Sequence, residues 1–260
     1  MSRVQSPSPT PTFLVSPDSS NLVCSRGENI DQRETTEPMT AIRCRGVLFD
    51  MDGVLVDSTP AVARVWTVWA LEHGLVPEEV VRQAHGRPSL ATIIELLPHG
   101  DHHAENREVE RREIADIADV AALPGASRLL QTIPETQWTI VTSATRELAE
   151  VRLRAAGLPV PRHLVTASDL QRGKPFPDPY LKGAEVLRMP AQECLVAEDA
   201  ASGVRSGKEA GARVLALRTT STDAELWGAG ADWIADDLSA LALDKHGRAT
   251  DLAFRLTAKK

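Results

Sequence analysis

Cysteine is scarce in this chain, and its thiols are not spaced as a scaffold or a metal site. The 260 residues include three cysteines, Cys24, Cys44 and Cys194, which lie far apart in sequence. Disulfide scaffolds carry many cysteines in an even number, and structural zinc sites carry them at close spacing. The cysteine content therefore excludes a disulfide scaffold and predicts a reducing, cytoplasmic environment.

Positive charge and long apolar runs are also lacking. The formal net charge is −7 at pH 7. No stretch approaches the roughly 18 apolar residues of a membrane-spanning helix. Broad attraction to nucleic acid or to anionic membranes requires the opposite net charge. We therefore expect neither nucleic acid nor a membrane as a partner, and an enzyme with an anionic substrate would have to gather its cations locally.

The first forty residues differ in composition from the rest of the chain. Seventeen of them are Ser, Thr or Pro, and their apolar residues show no period. Such a segment buries too little apolar surface to offset the entropy of ordering it. It also lacks the basic start and apolar centre of a secretory signal. We interpret residues 1–40 as a disordered leader, with Met39 as an alternative translation start.

From residue 46 onward, strand-sized apolar runs alternate with helical segments. Five runs have the length and composition of buried parallel strands: 47–49, 138–141, 163–165, 194–197 and 214–217. One helix is predicted over 147–156, with Thr145 as its N-cap. This alternation predicts an α/β fold with a doubly wound, parallel, Rossmann-like sheet. Ligands of such sheets bind at the carboxyl ends of the strands.

The stretch between the first two predicted strands is too long for a single crossover and has a helical pattern. Thr59 and Pro60 suit the start of a helix. An apolar stripe at helical spacing follows, and its residues are Val62, Val65, Trp66 and Trp69. Further helical segments are predicted over 78–83, 90–97 and 104–118. We interpret the stripe as core packing of a helical insert.

These patterns divide the chain into a core and an inserted domain. The predicted α/β core comprises residues 41–57 and 123–245. An all-helical cap domain is predicted over 58–122, and residues 246–260 are predicted to form a tail.

An acid pair directly follows the first predicted strand. Asp50 and Asp52 are two residues apart, so on an extended backbone their side chains point the same way. Gly53 permits a sharp turn just after them. Two neighbouring carboxylates divide naturally into an ionised nucleophile and a protonated donor, because both cannot ionise cheaply. A solvated turn with two acids is the alternative interpretation.

Three further clusters follow later strands or lie between them. Thr142 and Ser143 follow the second run, where a hydroxyl and free N–H groups suit phosphate oxygens. Lys174 lies in a proline-stiffened loop without the glycines of a P-loop, and a surface lysine is the alternative. Glu198 and Asp199 end the fourth run, where buried acids need a hard cation such as Mg²⁺.

The order of these clusters resembles the haloacid dehalogenase superfamily over about residues 45–240. In that family the motifs run from an acid pair through Thr/Ser and Lys to a second acid pair. The resemblance implies that Asp50 is the nucleophile, Asp52 the general acid/base and Lys174 the charge-balancing residue. It also implies that Thr142 and the backbone of Ser143 hold the phosphate.

The same resemblance implies a magnesium site. Its ligands would be Asp50, the Asp52 carbonyl, Glu198 and Asp199.

A sequence Ala-His-Gly-Arg-Pro lies between two predicted cap helices. It is similar to the cap loop of the subgroup that dephosphorylates 2-deoxyglucose 6-phosphate, glycerol phosphate and related molecules. The resemblance implies substrate contacts for His85, Gly86 and Arg87, whereas a helix-ending turn with solvated charges is the alternative. Pro88 and Ser89 depart from the residues common in relatives, which leaves the exact substrate open.

Together the motifs predict a Mg²⁺-dependent phosphoric monoester hydrolase. Its substrate would be a small sugar, polyol or cyclitol phosphate, and the reaction would pass through an aspartyl-phosphate on Asp50. We expect the protein to be a monomer or a weak dimer. An aspartate at position 52 argues against dehalogenases and ion pumps, and the absence of lysine from 58–122 argues against a phosphonate-cleaving Schiff base. A hexose phosphomutase and a non-catalytic binding protein of the same fold are the alternatives.

Overall fold

The computed structural model describes residues 40–84, 87–244 and 251–257. The predicted leader therefore lies, except for Thr40, outside the described residues. The strands are β1 (Thr40–Cys44), β2 (Gly46–Phe49), β3 (Val56–Asp57), β4 (Ala121–Ala122), β5 (Trp138–Ile140), β6 (Cys194–Glu198), β7 (Arg213–Leu217), β8 (Trp233–Ala235), β9 (Leu241–Leu243) and β10 (Leu252–Leu256). The α-helices are α1 (Thr59–Glu72), α2 (Pro77–Ala84), α3 (Ser89–Leu96), α4 (His102–Ala115), α5 (Ala126–Thr132), α6 (Arg146–Ala155), α7 (Asp178–Val186), α8 (Ala201–Glu209) and α9 (Asp223–Gly228).

A parallel sheet of five strands forms the centre of the molecule, in the order β5-β2-β6-β7-β8. Its register places Phe49 of β2 opposite Ala197 of β6. Both residues end at the same edge of the sheet, and the candidate site residues follow them. The predicted α/β fold with a parallel sheet is confirmed.

One predicted strand differs from the structure. Residues 163–165 contribute a single bridge, between Val165 and Val141, and β8 is the fifth strand of the sheet instead. Arg162 and His163 lie in a turn, so the chain joins the ladder beside β5 only at Val165. The run therefore has the length of a strand but pairs only at its last residue.

The side chains of the sheet alternate between two apolar layers. Val47 and Phe49 belong to one buried cluster, whereas Leu48, which lies between them, belongs to the other. Near-continuous apolar runs are typical of parallel strands because both faces are covered. This arrangement leaves the strand ends, and not the faces, as the place for polar chemistry.

The helices α1 to α4 pack around an apolar cluster of their own. Trp66 and Trp69 of α1 are buried at its centre, edge to face, with ring centroids 5.3 Å apart. Ile93 of α3 and Val109 of α4 complete the packing. Residues of the predicted stripe thus pack as a core, as large apolar side chains at helical spacing do.

A short antiparallel ribbon connects this helical segment to the central sheet. Val56 of β3 pairs with Ala122 of β4, at the two ends of the predicted insert. The helix α4 packs against α6 of the α/β part. The ribbon and this packing place the helical segment over the carboxyl edge of the sheet.

The segment predicted as a tail, residues 246–260, contains a strand. β10 lies between β1 and β9 in a second, antiparallel sheet. Its apolar residues Leu252, Phe254 and Leu256 alternate with more exposed ones and are buried. Alternation of this kind is typical of a strand with one buried face.

Within the described part of the chain, no helix is both long enough and apolar enough to cross a membrane, and the longest, α1 and α4, have 14 residues each.

Candidate active site

Asp50 lies immediately after β2, at the carboxyl edge of the sheet. Its backbone N–H donates to the carbonyl of Ala197 on β6 at 2.9 Å, which continues the ladder through this residue. Its side chain is buried. Gly53 turns the chain just beyond, with φ of 77°, and an added Cβ there would lie 2.0 Å from Asp199 Oδ2. Only glycine satisfies both requirements.

Lys174 brings two carboxylates together at this edge. Its Nζ lies 2.6 Å from Asp50 Oδ1 and 2.6 Å from Glu198 Oε1, and all three side chains are buried. Burial alone would lower the pKa of Lys174, but the two carboxylates raise it above its usual value. The lysine therefore stays charged, and the alternative of a solvated surface lysine is wrong for this side chain.

Glu198 accepts hydrogen bonds at both of its carboxylate oxygens. Oε1 accepts from Lys174 and, at 2.9 Å, from the hydroxyl of Tyr180. Oε2 accepts from the backbone N–H groups of Asp199 at 2.8 Å and Ala200 at 3.0 Å. Four donors match the roughly four lone-pair sites of a carboxylate. This arrangement orients Glu198 toward Lys174 and makes it a support of the site as well as a possible ligand.

Asp50, Glu198 and Asp199 form a buried acidic cluster. One oxygen from each lies within 4.8 Å of the others. Burial raises the pKa of Asp50 to about 7, with the ammonium of Lys174 opposing the rise and Glu198 adding to it. Burial and the same neighbouring carboxylates raise the pKa of Asp199 well above its usual range. Three buried acids with one ammonium carry excess negative charge, which fits a hard divalent cation with oxygen ligands.

The carboxylate of Asp52 lies outside this cluster, and a metal contact by its backbone carbonyl stays a prediction. Its Oδ1 accepts from Ser58 Oγ at 2.6 Å, and its Oδ2 accepts from Arg152 Nη1 at 3.0 Å. The carboxylate is thus held between Ser58, the first residue of the predicted cap, and Arg152 of α6. This position suits a proton donor to a leaving group on the cap side of Asp50.

The predicted phosphate-holding residues lie at the end of β5. Thr142 is buried, and its Oγ1 accepts from the backbone N–H of Ala144 at 3.1 Å. Ser143 is partly buried beside it. Both residues line the cavity that contains Asp50 and Lys174. The structure therefore brings the four sequence clusters to one cavity.

That cavity has a volume of about 110 Å³. This is below the roughly 300–1,000 Å³ of sites for drug-sized ligands, which indicates a small ligand. Its cap side is lined by Val62, Trp66, Arg87, Ser89, Glu110 and Glu113. The cavity combines Lys174 and the acidic cluster on the core side with a cap wall that carries two carboxylates and one guanidinium.

The predicted cap-loop residues are only partly described. Arg87 lines the cavity and is exposed, with its Nη2 2.6 Å from Glu95 Oε2 of α3. His85 and Gly86 lie outside the described residues. Substrate contacts for these three residues stay a prediction.

Sequence reasoning missed several residues of the site. Tyr180 donates to Glu198, and Thr220 Oγ1 donates to Asp199 Oδ2. Arg152 and Glu113 are charged yet buried, on the apolar faces of α6 and α4. A charge at a position where the helical period requires an apolar residue was a usable signal for these two. The two hydroxyl residues carry no such signal.

Comparison with known proteins yields relatives along most of the chain. The family model of the haloacid dehalogenase-like hydrolases matches residues 44–211. Hexitol phosphatase A of Escherichia coli is 45% identical over 181 residues, which cover 68% of this chain and 84% of that protein. Glycerol-1-phosphate phosphohydrolase 2 of Saccharomyces cerevisiae is 29% identical over 229 residues, 84% of this chain and 91% of that protein.

Solved structures agree with the sequence comparison. The crystal structure of a hydrolase from Pseudomonas syringae superposes with a TM-score of 0.67 at 25% identity, covering 75% of this chain and 94% of that one. The motif order, the parallel sheet and these matches lead to one conclusion: the chain belongs to the haloacid dehalogenase-like hydrolase family.

Proposed function

We propose that this protein is a Mg²⁺-dependent phosphatase of small phosphorylated sugars or polyols that works through an aspartyl-phosphate on Asp50. The observation that carries the proposal is the position of Lys174, 2.6 Å from both Asp50 and Glu198 in a buried cluster that includes Asp199. A nucleophilic carboxylate, a fixed ammonium and room for a cation are the parts that phosphoryl transfer needs, because its catalysis consists mainly of positioning and charge neutralisation.

The comparisons support this activity class. The expected phosphoric monoester hydrolase is confirmed by the family and by relatives that are named as phosphatases of a hexitol and of glycerol 1-phosphate. The hexose phosphomutase alternative is not favoured, since these relatives are named as a phosphatase and a phosphohydrolase. The catalytic positions are intact, which also argues against a non-catalytic binding protein. A cytoplasmic location stays a prediction.

Asp50 and Asp52 have different roles in the two chemical steps. In the first, an oxygen of Asp50 bonds to phosphorus, the ester bond to the leaving oxygen breaks, and Asp52 gives that oxygen its proton. In the second, Asp52 takes a proton from water, the water oxygen bonds to phosphorus, and the bond to Asp50 breaks. Asp52 is suited to both steps because it lies two residues from Asp50, toward the cap, where a leaving group would sit.

Other groups of the site stabilise charge. Lys174 offsets the negative charge of Asp50 and of the bound phosphate, and the hydroxyls of Thr142 and Ser143 with the backbone N–H of Ser143 would meet the phosphate oxygens. Asp50 and Asp199 would hold a magnesium ion, supported by Glu198. When bound, the ion supplies Lewis-acid stabilisation of phosphoryl charge.

The cap wall suits a hydroxyl-rich leaving group. Glu110 and Glu113 line the cap side of the cavity, together with the guanidinium of Arg87. Carboxylates accept hydrogen bonds from hydroxyl groups, whereas a guanidinium attracts anions. Hexitol, glycerol and sugar monophosphates supply such hydroxyl groups, and anionic leaving groups are compared with them directly in the assay below.

A phosphate-release panel tests the proposal. Protein with Mg²⁺ is incubated with hexitol, glycerol, hexose and cyclitol monophosphates, with phosphoglycolate and a hexose bisphosphate as anionic comparisons. We expect phosphate from one or more neutral monoesters, no release by Asp50→Asn, and normal release by Asp223→Asn, whose carboxylate pairs with Arg218 on the surface. Full activity of Asp50→Asn contradicts the mechanism. Phosphate that moves to another hydroxyl, with none released, indicates a mutase.

A further inference from the structure

Arg152 is a buried cation that links the core to the cap. It lies on α6, and its side chain is 5% exposed. Its Nη1 donates to Asp52 Oδ2 at 3.0 Å, and its Nη2 lies 3.3 Å from Glu113 Oε2. A buried guanidinium is strongly unfavourable unless it is paired, so the two carboxylates account for its presence among apolar neighbours.

The bond from Arg152 completes the fixing of the Asp52 carboxylate. The other oxygen of Asp52 accepts from Ser58 Oγ at 2.6 Å. Bonds to both oxygens restrict rotation of the carboxylate plane, and the bond from Arg152 is the charge-assisted one. A general acid loses efficiency when its geometry is loose, because the proton must lie on the line to the leaving oxygen.

Glu113 ties this arrangement to the cap. It lies on α4 and is buried, and its Oε1 accepts from Trp66 Nε1 of α1 at 3.2 Å. The chain of contacts therefore runs from two cap helices through Glu113 and Arg152 to Asp52. It is complete only when α4 packs against α6, as it does here.

Resting on the proposed function, we propose that Arg152 is a positioning residue that holds Asp52 in line for proton transfer, and that Glu113 makes this alignment depend on the docked cap. Arg152 pairs with Asp52 and Glu113, whereas Lys174 is the cation that pairs with Asp50, where the phosphate would bind. Its effect therefore falls on the step that protonates the leaving oxygen. Esters whose leaving group needs no proton are insensitive to it.

Leaving-group dependence distinguishes this role from a merely structural one. Glycerol 1-phosphate has a poor leaving group that needs a proton, whereas p-nitrophenyl phosphate has a good one. For Arg152→Gln we expect kcat on glycerol 1-phosphate to fall by about 10²-fold, as for loss of general-acid catalysis. First-turnover release of p-nitrophenol, measured by stopped flow, should change by less than about threefold, since the general-acid contribution is absent from that step.

Three further variants sharpen the test. Arg152→Lys keeps the charge and should recover part of the loss on glycerol 1-phosphate. Glu113→Gln removes only the charge that links Arg152 to the cap, so it should show a smaller loss with the same leaving-group selectivity. Arg154→Gln is the matched control, since its side chain is 65% exposed and pairs with Glu150 on the same helix. It should leave both esters unaffected.

The outcomes separate the two proposals. Equal losses on both esters in Arg152→Gln, or no loss on either, overturn the positioning role. If Arg152→Gln does not fold, Arg152→Lys and Glu113→Gln are used in its place. Equal losses on both esters in these two variants likewise overturn the positioning role. Wild-type protein that turns over neither ester, nor any member of the phosphate-release panel, overturns the proposed function instead.

Discussion

Replacing Lys174 by methionine tests how far the site depends on one buried ammonium. Methionine is similar in length but carries no charge, so the change leaves Asp50 and Glu198 without the cation that lies 2.6 Å from each. Removing one partner of a buried ion pair costs about 3–5 kcal/mol, because the remaining charge is uncompensated. Two carboxylates lose their partner here, and we therefore expect about 5 kcal/mol.

The expected stability change is large enough for a melting experiment. In a domain of this size, 1 kcal/mol corresponds to about 2–4 °C in Tm, so the variant should melt about 10–20 °C below wild type. The measurement is thermal unfolding by circular dichroism at pH 8 with a chelator present. Lys182→Met is the control, because Lys182 and Glu185 form a surface pair with side chains 42% and 70% exposed. It should change stability by less than about 0.5 kcal/mol.

The pH dependence gives the same prediction a second readout. Burial already raises the pKa of Asp50 to about 7, against the opposing ammonium of Lys174. Without that ammonium the folded variant binds more protons than its unfolded chain, so its stability rises as pH falls from 8 toward 5. Mg²⁺ should also recover part of the loss at pH 8. A Lys174→Met protein that melts within about 2 °C of wild type at pH 8 without Mg²⁺ refutes the reasoning.

Three further predictions concern the metal site, a close contact and the second sheet. Mg²⁺ affinity, measured by calorimetry, should rise from pH 5 to pH 8, because Asp50, with a pKa near 7, must lose its proton to bind the ion; an affinity that is flat across this range contradicts the assignment. Gly203→Ala should lose activity, since an added Cβ lies 1.5 Å from Glu198 Oε1, whereas Gly228→Ala, with nothing within 4 Å, should be as active as wild type in the same assay. Phe254→Ala should lower the free energy of unfolding by about 3–5 kcal/mol in a denaturant titration, because the ring is buried, and a neutral result would place β10 outside the core.

Local sequence determined where the motif residues would lie. Asp50 and Asp199 follow apolar runs that form β2 and β6, and both runs are apolar enough to be buried on both faces. Parallel strands end at one edge, so residues just after them converge whatever the rest of the chain does. The helical segment between β3 and β4 was likewise predictable, since an apolar stripe of period 3.6 needs only neighbouring residues to be recognised.

Other features depended on residues that are distant in sequence. Strand β10 was predicted as a tail because its partner β1 lies some two hundred residues earlier, so its pairing leaves no local trace. The run at 163–165 has the composition of a strand but makes only one bridge. A strand is stabilised by its neighbours, and its own residues report on them only weakly.

The support of the site was decided by tertiary packing alone. Lys174 was recognisable as a lysine in a rigid loop, but its two carboxylate partners are 124 and 24 residues away. The contacts of Arg152 with Asp52 and Glu113 join α6 to the strand edge and to the cap. A charge–charge contact depends on distance in space, and spacing along the chain carries no record of it. The sequence by itself thus determined which chemical groups are present and at which edge of the sheet they lie. The folded chain decided which of these groups form ion pairs and hydrogen bonds with one another.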